Sequence, residues 1–470
     1  MSTTTRSRLS PVAGLPERIH LVGIGGIGIS AIAQVLHGRG HIVTGSDQAD
    51  SDLIAMLHGM GIKVAIGHRA ENIGKAELVV ISSAVPADNP EVRAAEERGI
   101  PVTKRRGLLA RLIDGYHAIA IAGTHGKTTS AAMLAATLAR LDADPTFIVG
   151  GVISELGTNA RAGAGKVFVL EADEYDGAFQ DLEPRTAIVT NIEMDHPDVY
   201  AAIEDVAEAF DGFMRHTRAD GKLIVCADSP QITKLLHERQ YPAQVLTYGT
   251  VPWADYHVAD ITSEADGHIT WKILKSGADW LSPRLQLAGA HNALNATAVL
   301  MALEHAGVAL PDAVRALGEF SGVRRRFEIK GEAGGVTIID DYGHHPTQIA
   351  ATLQAARTRY QDRRVWAIFQ PHTYSRTRAL WDDFTRCFGA ADEVVVMDIY
   401  RARTREVDAL AASDLAAAIE HSQVHYLPDR AAVVAHLAEA LRAGDVLITL
   451  GAGDDYLVGE EILSVLRERG

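Results

Sequence analysis

A chain of 470 residues is too long for one hydrophobic core, and roughly two to four domains are expected. Hydrophobic content of 47% and charged content of 22% are ordinary for a globular protein, no stretch approaches the roughly 18 uninterrupted apolar residues of a membrane helix, and a net charge of −15 argues against nucleic-acid partners. Only Cys226 and Cys387 are present, far apart in sequence, so a cytoplasmic protein without a disulfide framework is expected.

Residues 1–16 are polar and rich in Ser and Thr, lack the apolar core of a signal peptide, and are expected to form a loose tail. A first α/β block follows. Arg18-Ile-His-Leu-Val22 reads as a strand, Gly23-Ile-Gly25-Gly26-Ile-Gly28 as a glycine turn, and Ile29 to His37 as a helix. A second strand, His41 to Gly45, ends at Asp47. Gly-x-Gly-x-x-Gly with a downstream Asp fits a dinucleotide fingerprint. A glycine turn at a helix N-terminus serves any pyrophosphate, so a nucleotide-sugar diphosphate suits it equally. Read alone, this loop leaves an NAD-dependent oxidoreductase open. Ile62 to Ile66 and Leu78 to Ile81 continue the parallel sheet, and Ser82-Ser83 stands where such sheets bind ligands, although plain turn chemistry explains paired serines there as well.

The second block opens on the most informative stretch, Ala122-Gly123-Thr124-His125-Gly126-Lys127-Thr128-Thr129, between the apolar run His117 to Ile121 and the Ala/Leu-rich run Ser130 to Leu141. Strand, glycine turn and helix in that order make a phosphate loop. The two glycines let backbone N–H groups close on phosphate, Lys127 can reach the β- and γ-phosphates, and the Thr128 hydroxyl can hold Mg²⁺. A standard loop has Gly five residues before Gly126; here that residue is Ile121, so the loop is a shortened form. Glu171-Ala-Asp-Glu-Tyr-Asp176 and Thr190-Asn-Ile-Glu-Met-Asp195-His196 each follow an apolar strand, which makes Glu171 a candidate metal ligand; a lone His is usually structural or on the surface, but His196 sits beside the expected metal position and reads as functional. Gln244 to Leu287 alternates in short segments and reads as a small antiparallel patch. His291-Asn292-x-x-Asn295 places two amides on one face of a helix, able to bond a base or ribose, or simply to cap.

A third block begins after Phe320-Ser-Gly322. Arg324-Arg325-Arg326 stands at the hinge, where a solvated charge run competes with a phosphate-reaching arginine. Val336 to Ile339, Val365 to Phe369, Glu393 to Met397 and Asp445 to Leu450 read as buried strands separated by helices. Asp340-Asp341-Tyr342-Gly-His344-His345-Pro346 and Phe369-Gln-Pro-His372-Thr-Tyr-Ser-Arg376 mark a cleft rim in which His372 and Arg376 could grip a small carboxylate; for His345 a structural role is expected.

Taken together and in this order, these motifs, with Gly322-Val-x-Arg-Arg-Phe-Glu328, resemble the Mur ligase family over essentially the whole chain after the tail. The resemblance implies an α/β protein of three domains: Rossmann-like at 17–115, a P-loop ATPase-like domain with a small antiparallel patch at 116–322, and a second Rossmann-like domain at 323–470. It implies ATP-dependent ligation of L-alanine to the lactyl carboxylate of UDP-N-acetylmuramate through an acyl phosphate, in peptidoglycan precursor synthesis. Within the same family, addition of a tripeptide to that nucleotide sugar in murein recycling is the alternative. Gly25, Gly26, Gly28, Asp47, His68, Ser82 and Ser83 would bind the UDP end. Gly123 to Thr129, Asn292, Asn295, Arg326 and Asp341 would bind ATP; Thr128, Glu171 and His196 would hold Mg²⁺. Tyr342, His344, His372 and Arg376 would surround the amino acid; no residue is marked as the base for the alanine ammonium, and His344 is a candidate. Lys127, Glu171, His196, Arg326, Asp341 and His344 make up the expected catalytic set. The implied partners are these small molecules, with no nucleic acid or membrane, for a monomer or weak homodimer. Three departures stand out: Thr373 and Thr404 where relatives often carry Arg and Glu, and Tyr175, shared with the recycling ligase.

Overall fold

The computed structural model describes residues 9–82, 84–264, 267–401 and 410–469. Three sheets follow one another along the chain, and the chain divides into two compact units. The first unit holds residues up to Ile192 with Ala207–Tyr248 and Ala298–Leu317; the second holds Glu193–Val206, Gly249–Thr297 and the chain from Gly318 onward.

In the first unit, β1 (Arg18–Val22), β2 (Ile42–Asp47), β3 (Lys63–Ile66), β4 (Leu78–Ile81) and β5 (Val102–Lys104) form an all-parallel sheet in the order β3-β2-β1-β4-β5. The chain reverses its direction of winding between β1 and β4, so the crevice lies at the carboxyl end of β1, where the glycine turn emerges. Parallel strands covered on both faces are mostly apolar, as in Ile19, Leu21 and Val22, all 0–1% exposed, with the buried His20 between them. The short β5 was not visible in the sequence pattern.

The second sheet contains β6 (His117–Ala122), β7 (Thr146–Ile153), β8 (Thr158–Arg161), β9 (Val167–Glu171), β10 (Thr186–Val189), β11 (Lys222–Cys226) and β12 (Gln244–Gly249), in the order β12-β11-β10-β6-β9-β7-β8. The neighbouring strands in this order pair parallel except β7 with β8. The expectation that the antiparallel patch begins at Gln244 is corrected here: Gln244 to Tyr248 runs parallel to Lys222–Cys226. The helix Lys127–Arg140 is buried from Ser130 to Leu138, and its alanines permit this close approach to the sheet. The first block packs on the second through the helix Ile27–Gly38: Gln34 bonds Asn159 and Thr158 at 3.2 and 3.0 Å, and a Cβ on Gly38 would lie 2.8 Å from that of Ala162.

In the second unit, β13 (Tyr256–Ser263), β15 (Ala278–Leu281) and β16 (Arg284–Leu285) all pair antiparallel with β14 (Ile269–Lys275), as the alternation predicts. The third sheet comprises β17 (Glu328–Ala333), β18 (Val336–Asp341), β19 (Val365–Phe369), β20 (Glu393–Val396), β21 (Val424–Tyr426) and β22 (Val446–Leu450), in the order β17-β18-β22-β19-β20-β21, with only β17 antiparallel. Its two faces carry separate apolar clusters, one around Phe369, Phe384 and Phe388, the other around Trp366, Leu437 and Ile462. Each such fully buried side chain contributes roughly 1.5–3 kcal/mol, which holds the strand ends, and the loops on them, in place. No helix among the described residues is long and apolar enough to cross a membrane.

Candidate active site

The phosphate loop leaves β6 with Gly123 at φ +137° and Gly126 at φ +81°, and the helix Lys127–Arg140 begins at once. Both φ values are ones that side-chain-bearing residues rarely adopt. The loop is braced by the end of β10: Thr124 N and His125 N donate to the backbone and side-chain oxygens of Asn191 at 3.0 and 2.8 Å. Thr190 Oγ1 and Asn191 Nδ2 donate back to the His125 carbonyl. A Cβ on Gly123 would lie 1.9 Å from Thr190 Oγ1, closer than any real contact. Gly123→Ala is therefore expected to open the loop and weaken nucleotide binding by at least ~10-fold, read by calorimetric titration. Wild-type affinity in that variant would mean that the brace is not needed.

Lys127 Nζ lies 2.8 Å from a Glu174 oxygen and also donates to the Gly123 and Thr124 carbonyls. Burial works against its charge, but Glu174, Asp173 and Glu171 outweigh it and raise the pKa of the ammonium. Burial pushes the Glu174 carboxyl up to about 7, with Lys127 opposing. Thr128 Oγ1 donates to Glu171 Oε1 at 2.8 Å, and Gly150 N donates to Glu171 Oε2. A hydroxyl and a carboxylate side by side at the phosphate loop form a hard oxygen-donor set, which suits Mg²⁺.

At the first glycine turn, Gly25 N donates to Asp47 Oδ2 at 2.8 Å, and Gln48 N to Asp47 Oδ1 at 2.7 Å. Asp47 thus holds the turn as well as standing beside it. Gly26 caps the helix Ile27–Gly38. Ser82 closes against Gly23 and accepts from Ala84 N at 3.4 Å, whereas Ser83 lies outside the described residues. His68 Nδ1 meets Ser46 Oγ at 3.1 Å and Glu91 Oε1 at 3.3 Å. Glu91 is fully buried, and its carboxylate also meets His20, Ser46, Asn72 and the Arg69 backbone N–H. Sequence reasoning missed Glu91, and also Arg105. The Arg105 guanidinium lies against Gly28, where a Cβ would come within 2.5 Å of it, and reaches Asp173 at 3.5 Å. Gly28, Arg105, Glu171 and Asp173 line one small cavity of about 30 Å³.

In the second unit, Asn292 and Asn295 are both buried on the helix Ala290–His305, and Asn295 Nδ2 reaches Asn292 Oδ1 at 3.4 Å. Asn292 lies inside the helix and bonds the Ala288 carbonyl at 2.7 Å, so it is not the cap. Of the three arginines, Arg325 turns into the fold: at φ +59° it bonds Asp340, Asp455 and the carbonyls of Gly451 and Gly453. Arg326 lies over the Tyr342 ring, 5.1 Å from its centroid. Asp341 accepts from Phe327 N and Gly343 N, both at 2.7 Å, so its two oxygens tie the Arg326 turn to the end of β18; burial raises its pKa, with Arg326 opposing.

His344 Nδ1 lies 2.9 Å from the Tyr342 carbonyl. A carbonyl only accepts, so the Nδ1 carries the proton and the Nε2 of the neutral ring carries a lone pair. Burial, then Arg376, lowers the His344 pKa well below its ordinary value. His345 caps the helix Pro346–Arg359 through a capping box with Gln348, the structural role expected of it. His372 stacks on Tyr400 and lies 3.0 Å from Arg376 Nη1; burial, then Arg376, lowers its pKa to about 4. Arg376 is 5% exposed and already grips a carboxylate, that of Asp195, from Nε and Nη2 at 2.8 Å. Thr373, one of the departures, caps the helix Tyr374–Ala379 at φ +64°; Thr404 lies outside the described residues. His196, next to Asp195, has φ +53°, a left-handed conformation uncommon for a residue with a side chain.

The structure thus brings Lys127, Thr128 and Glu171 together in the first unit, and Arg326, Asp341, Tyr342, His344, His372 and Arg376 at strand ends in the second. A fixed ammonium and an oxygen-donor pair beside a phosphate loop can support phosphoryl transfer; a neutral imidazole near a guanidinium can receive an amino acid.

Comparison with known proteins agrees with this chemistry. The family models "Mur ligase family, catalytic domain", "Mur ligase middle domain" and "Mur ligase, glutamate ligase domain" match residues 18–117, 121–303 and 325–453. The chain is 43% identical to the UDP-N-acetylmuramate–L-alanine ligase of Desulfosudis oleivorans, over 95% of this chain and 98% of that protein. It is similar to the crystal structure of the UDP-N-acetylmuramate-alanine ligase MurC of Thermotoga maritima, with TM-score 0.80 and 28% identity, over 96% of this chain and 100% of that one. It shares its fold with the murein peptide ligase of Psychrobacter arcticus, with TM-score 0.71 and 24% identity, over 96% and 99%. Because three models of one family account for most of the length in consecutive order, and a relative matches it nearly end to end, the chain belongs to the Mur ligase family.

Proposed function

We propose that this chain joins L-alanine to the lactyl carboxylate of UDP-N-acetylmuramate, consuming ATP and releasing ADP and phosphate. The observation that carries the reading is the phosphate-loop cluster, in which Lys127 and the Thr128–Glu171 pair stand at adjacent strand ends, in a chain 43% identical to a ligase of that name. Residues 17–115 take the UDP end through Gly25, Gly26, Gly28, Asp47, His68 and Ser82, residues 116–322 take ATP, and residues 323–470 take the amino acid.

A carboxylate is a poor electrophile at neutral pH. Its oxygen attacks the γ-phosphorus of ATP, the bond to ADP breaks, and the acyl phosphate forms. Lys127 and Arg326 offset the negative charge that builds on the transferring group. Thr128, Glu171 and His196 would hold Mg²⁺, which neutralises phosphate charge when bound. The alanine ammonium loses a proton to the Nε2 lone pair of His344, and the free amine attacks the acyl carbon. The tetrahedral intermediate passes the second amine proton to the departing phosphate as the C–O bond to it breaks, and the amide remains. Arg376 holds the alanine carboxylate, with His372 and Tyr342 around it.

Phosphate release with ATP, Mg²⁺ and UDP-N-acetylmuramate, comparing L-alanine with the tripeptide L-Ala-γ-D-Glu-meso-diaminopimelate, tests the reading. Release with alanine, with the matching mass increase of the nucleotide sugar, is the expected result. Release with the tripeptide alone would move the protein to the recycling reaction and overturn the alanine assignment while leaving the ATP chemistry intact. EDTA should stop release, and added Mg²⁺ should restore it.

A further inference from the structure

Arg376 was expected to be open to a substrate carboxylate, yet it is 5% exposed and holds one from the chain itself. The geometry of this pair is specific. Nε and Nη2 both lie 2.8 Å from Asp195 Oδ1, Nη1 lies 3.0 Å from His372 Nδ1, and the His196 backbone N–H donates to the same Asp195 oxygen at 2.7 Å. The two residues stand 181 positions apart in sequence.

A guanidinium has five N–H donors in one plane and accepts nothing. Asp195 takes the Nε–H and one hydrogen of Nη2. His372 takes one hydrogen of Nη1, so its Nδ1 is the acceptor and its proton sits on Nε2. One hydrogen on each of Nη1 and Nη2 remains, and an end-on fork that matches a carboxylate in a bidentate pair can be made from them when His372 takes the Nη1 hydrogen on the Cδ side. A long side chain without a fixed counter-charge would spread over several rotamers and spend entropy each time it met a ligand. With Asp195 on its flank, the plane is set beforehand.

We propose that Asp195 is a positioning residue for the amino-acid carboxylate site: it fixes the Arg376 guanidinium, and through it the His372 ring, so that the end-on fork receives the carboxylate of the incoming amino acid. This inference rests on the reading of Arg376 given above. Asp195 touches no substrate. Its effect falls on the binding of the amino acid; Asp195 also borders His196, whose backbone N–H shares its Oδ1, and Asp195→Asn keeps an oxygen for that bond.

Asp195→Asn keeps the shape and removes the charge. In steady-state assays of the full chain it should raise KM for L-alanine on the order of 10-fold to 100-fold, with kcat and the KM values for ATP and UDP-N-acetylmuramate within about threefold. Discrimination between L-alanine and L-alaninamide, which lacks the carboxylate charge, should shrink by a similar factor; a general loss of stability would not move that ratio. Asp195→Glu retains the charge but displaces it by one methylene, and should raise KM for L-alanine less than Asp195→Asn does. If Asp195→Asn does not fold, the glutamate variant alone decides: an unchanged KM for L-alanine overturns the proposal. So does a fall in kcat or a raised Mg²⁺ requirement in Asp195→Asn with KM for L-alanine unchanged. Arg376→Lys separates the two levels. If it leaves KM for L-alanine unchanged, the reading of Arg376 is wrong; if it raises KM while the Asp195 variants do not, only the positioning role is wrong.

Discussion

Lys127→Ala will reduce phosphate release by at least ~10³-fold while leaving UDP-N-acetylmuramate binding intact. Lys127 is the cation fixed inside the phosphate loop, and its ammonium already lies 2.8 Å from a carboxylate that ATP phosphates would replace. Loss of a single preorganised donor at a site of developing charge costs on the order of 10²–10³-fold, and here a full positive charge leaves with it. The variant also leaves Glu174 buried, 1% exposed, without its counter-charge. Burial already pushes that carboxyl up to about 7, so Glu174 will take up a proton and the fold will survive with a modest loss of stability. Single-turnover assays with γ-labelled ATP, alongside calorimetric titration of the UDP-sugar, separate the two effects. Turnover within about tenfold of wild type would sink the assignment of this loop to phosphoryl transfer. Parallel loss of UDP-sugar binding would show that the substitution had unfolded the unit instead.

The parts of this protein that were legible in its sequence are those whose signal is local. A glycine at positive φ between an apolar strand and an Ala-rich helix leaves its mark within eight residues, so Gly123 to Lys127 and Gly23 to Gly28 could be placed without the fold. A carboxylate at the end of an apolar run works in the same way, which is why Glu171 and Asp341 were found. Short or mixed elements left no such trace. β5 has three residues, and Gln244–Gly249 alternates enough to resemble the antiparallel strands after it, although it pairs parallel with β11. Partnerships made only by topology were also invisible. Asp195 and Arg376 meet across 181 positions, and nothing near either announces the other. Arg105 carries no motif of its own, and only the fold places it against Gly28.

Glu91 is the clearest residue of that kind, and its replacement should have the largest effect on stability. It lies in the first turn of the helix Pro90–Glu97, whose composition reads as surface, yet it is 0% exposed. The middle of β1, the end of β2 and the turn after β3 bring His20, Ser46 and His68 to it, and Asn72 adds a bond of 2.6 Å. Burial alone would raise its pKa, but the bonds from His20, Ser46 and Asn72 outweigh burial and lower it from 4.5 to about 2. A folded pKa below the unfolded one means that the charged group stabilises the fold above about pH 4.5, and that this contribution drains away as pH falls through that value toward 2. The shift corresponds to about 3 kcal/mol at neutral pH. Glu91→Ala removes the acceptor and leaves the buried His20 and Ser46 and the half-buried Asn72 facing a void, so a loss of roughly 3–5 kcal/mol is expected in urea unfolding at pH 7.5. Glu91→Gln keeps the volume but presents an amide donor to groups that themselves donate, and should cost roughly 2–3 kcal/mol. The gap between wild type and Glu91→Gln should then narrow as pH is lowered from 5 to 3, because only the wild type loses a buried charge there. A gap that stays constant across that range would mean that shape, not charge, holds the site. His68 takes its orientation from the same carboxylate, so both variants should also raise KM for the nucleotide sugar and leave KM for L-alanine unchanged.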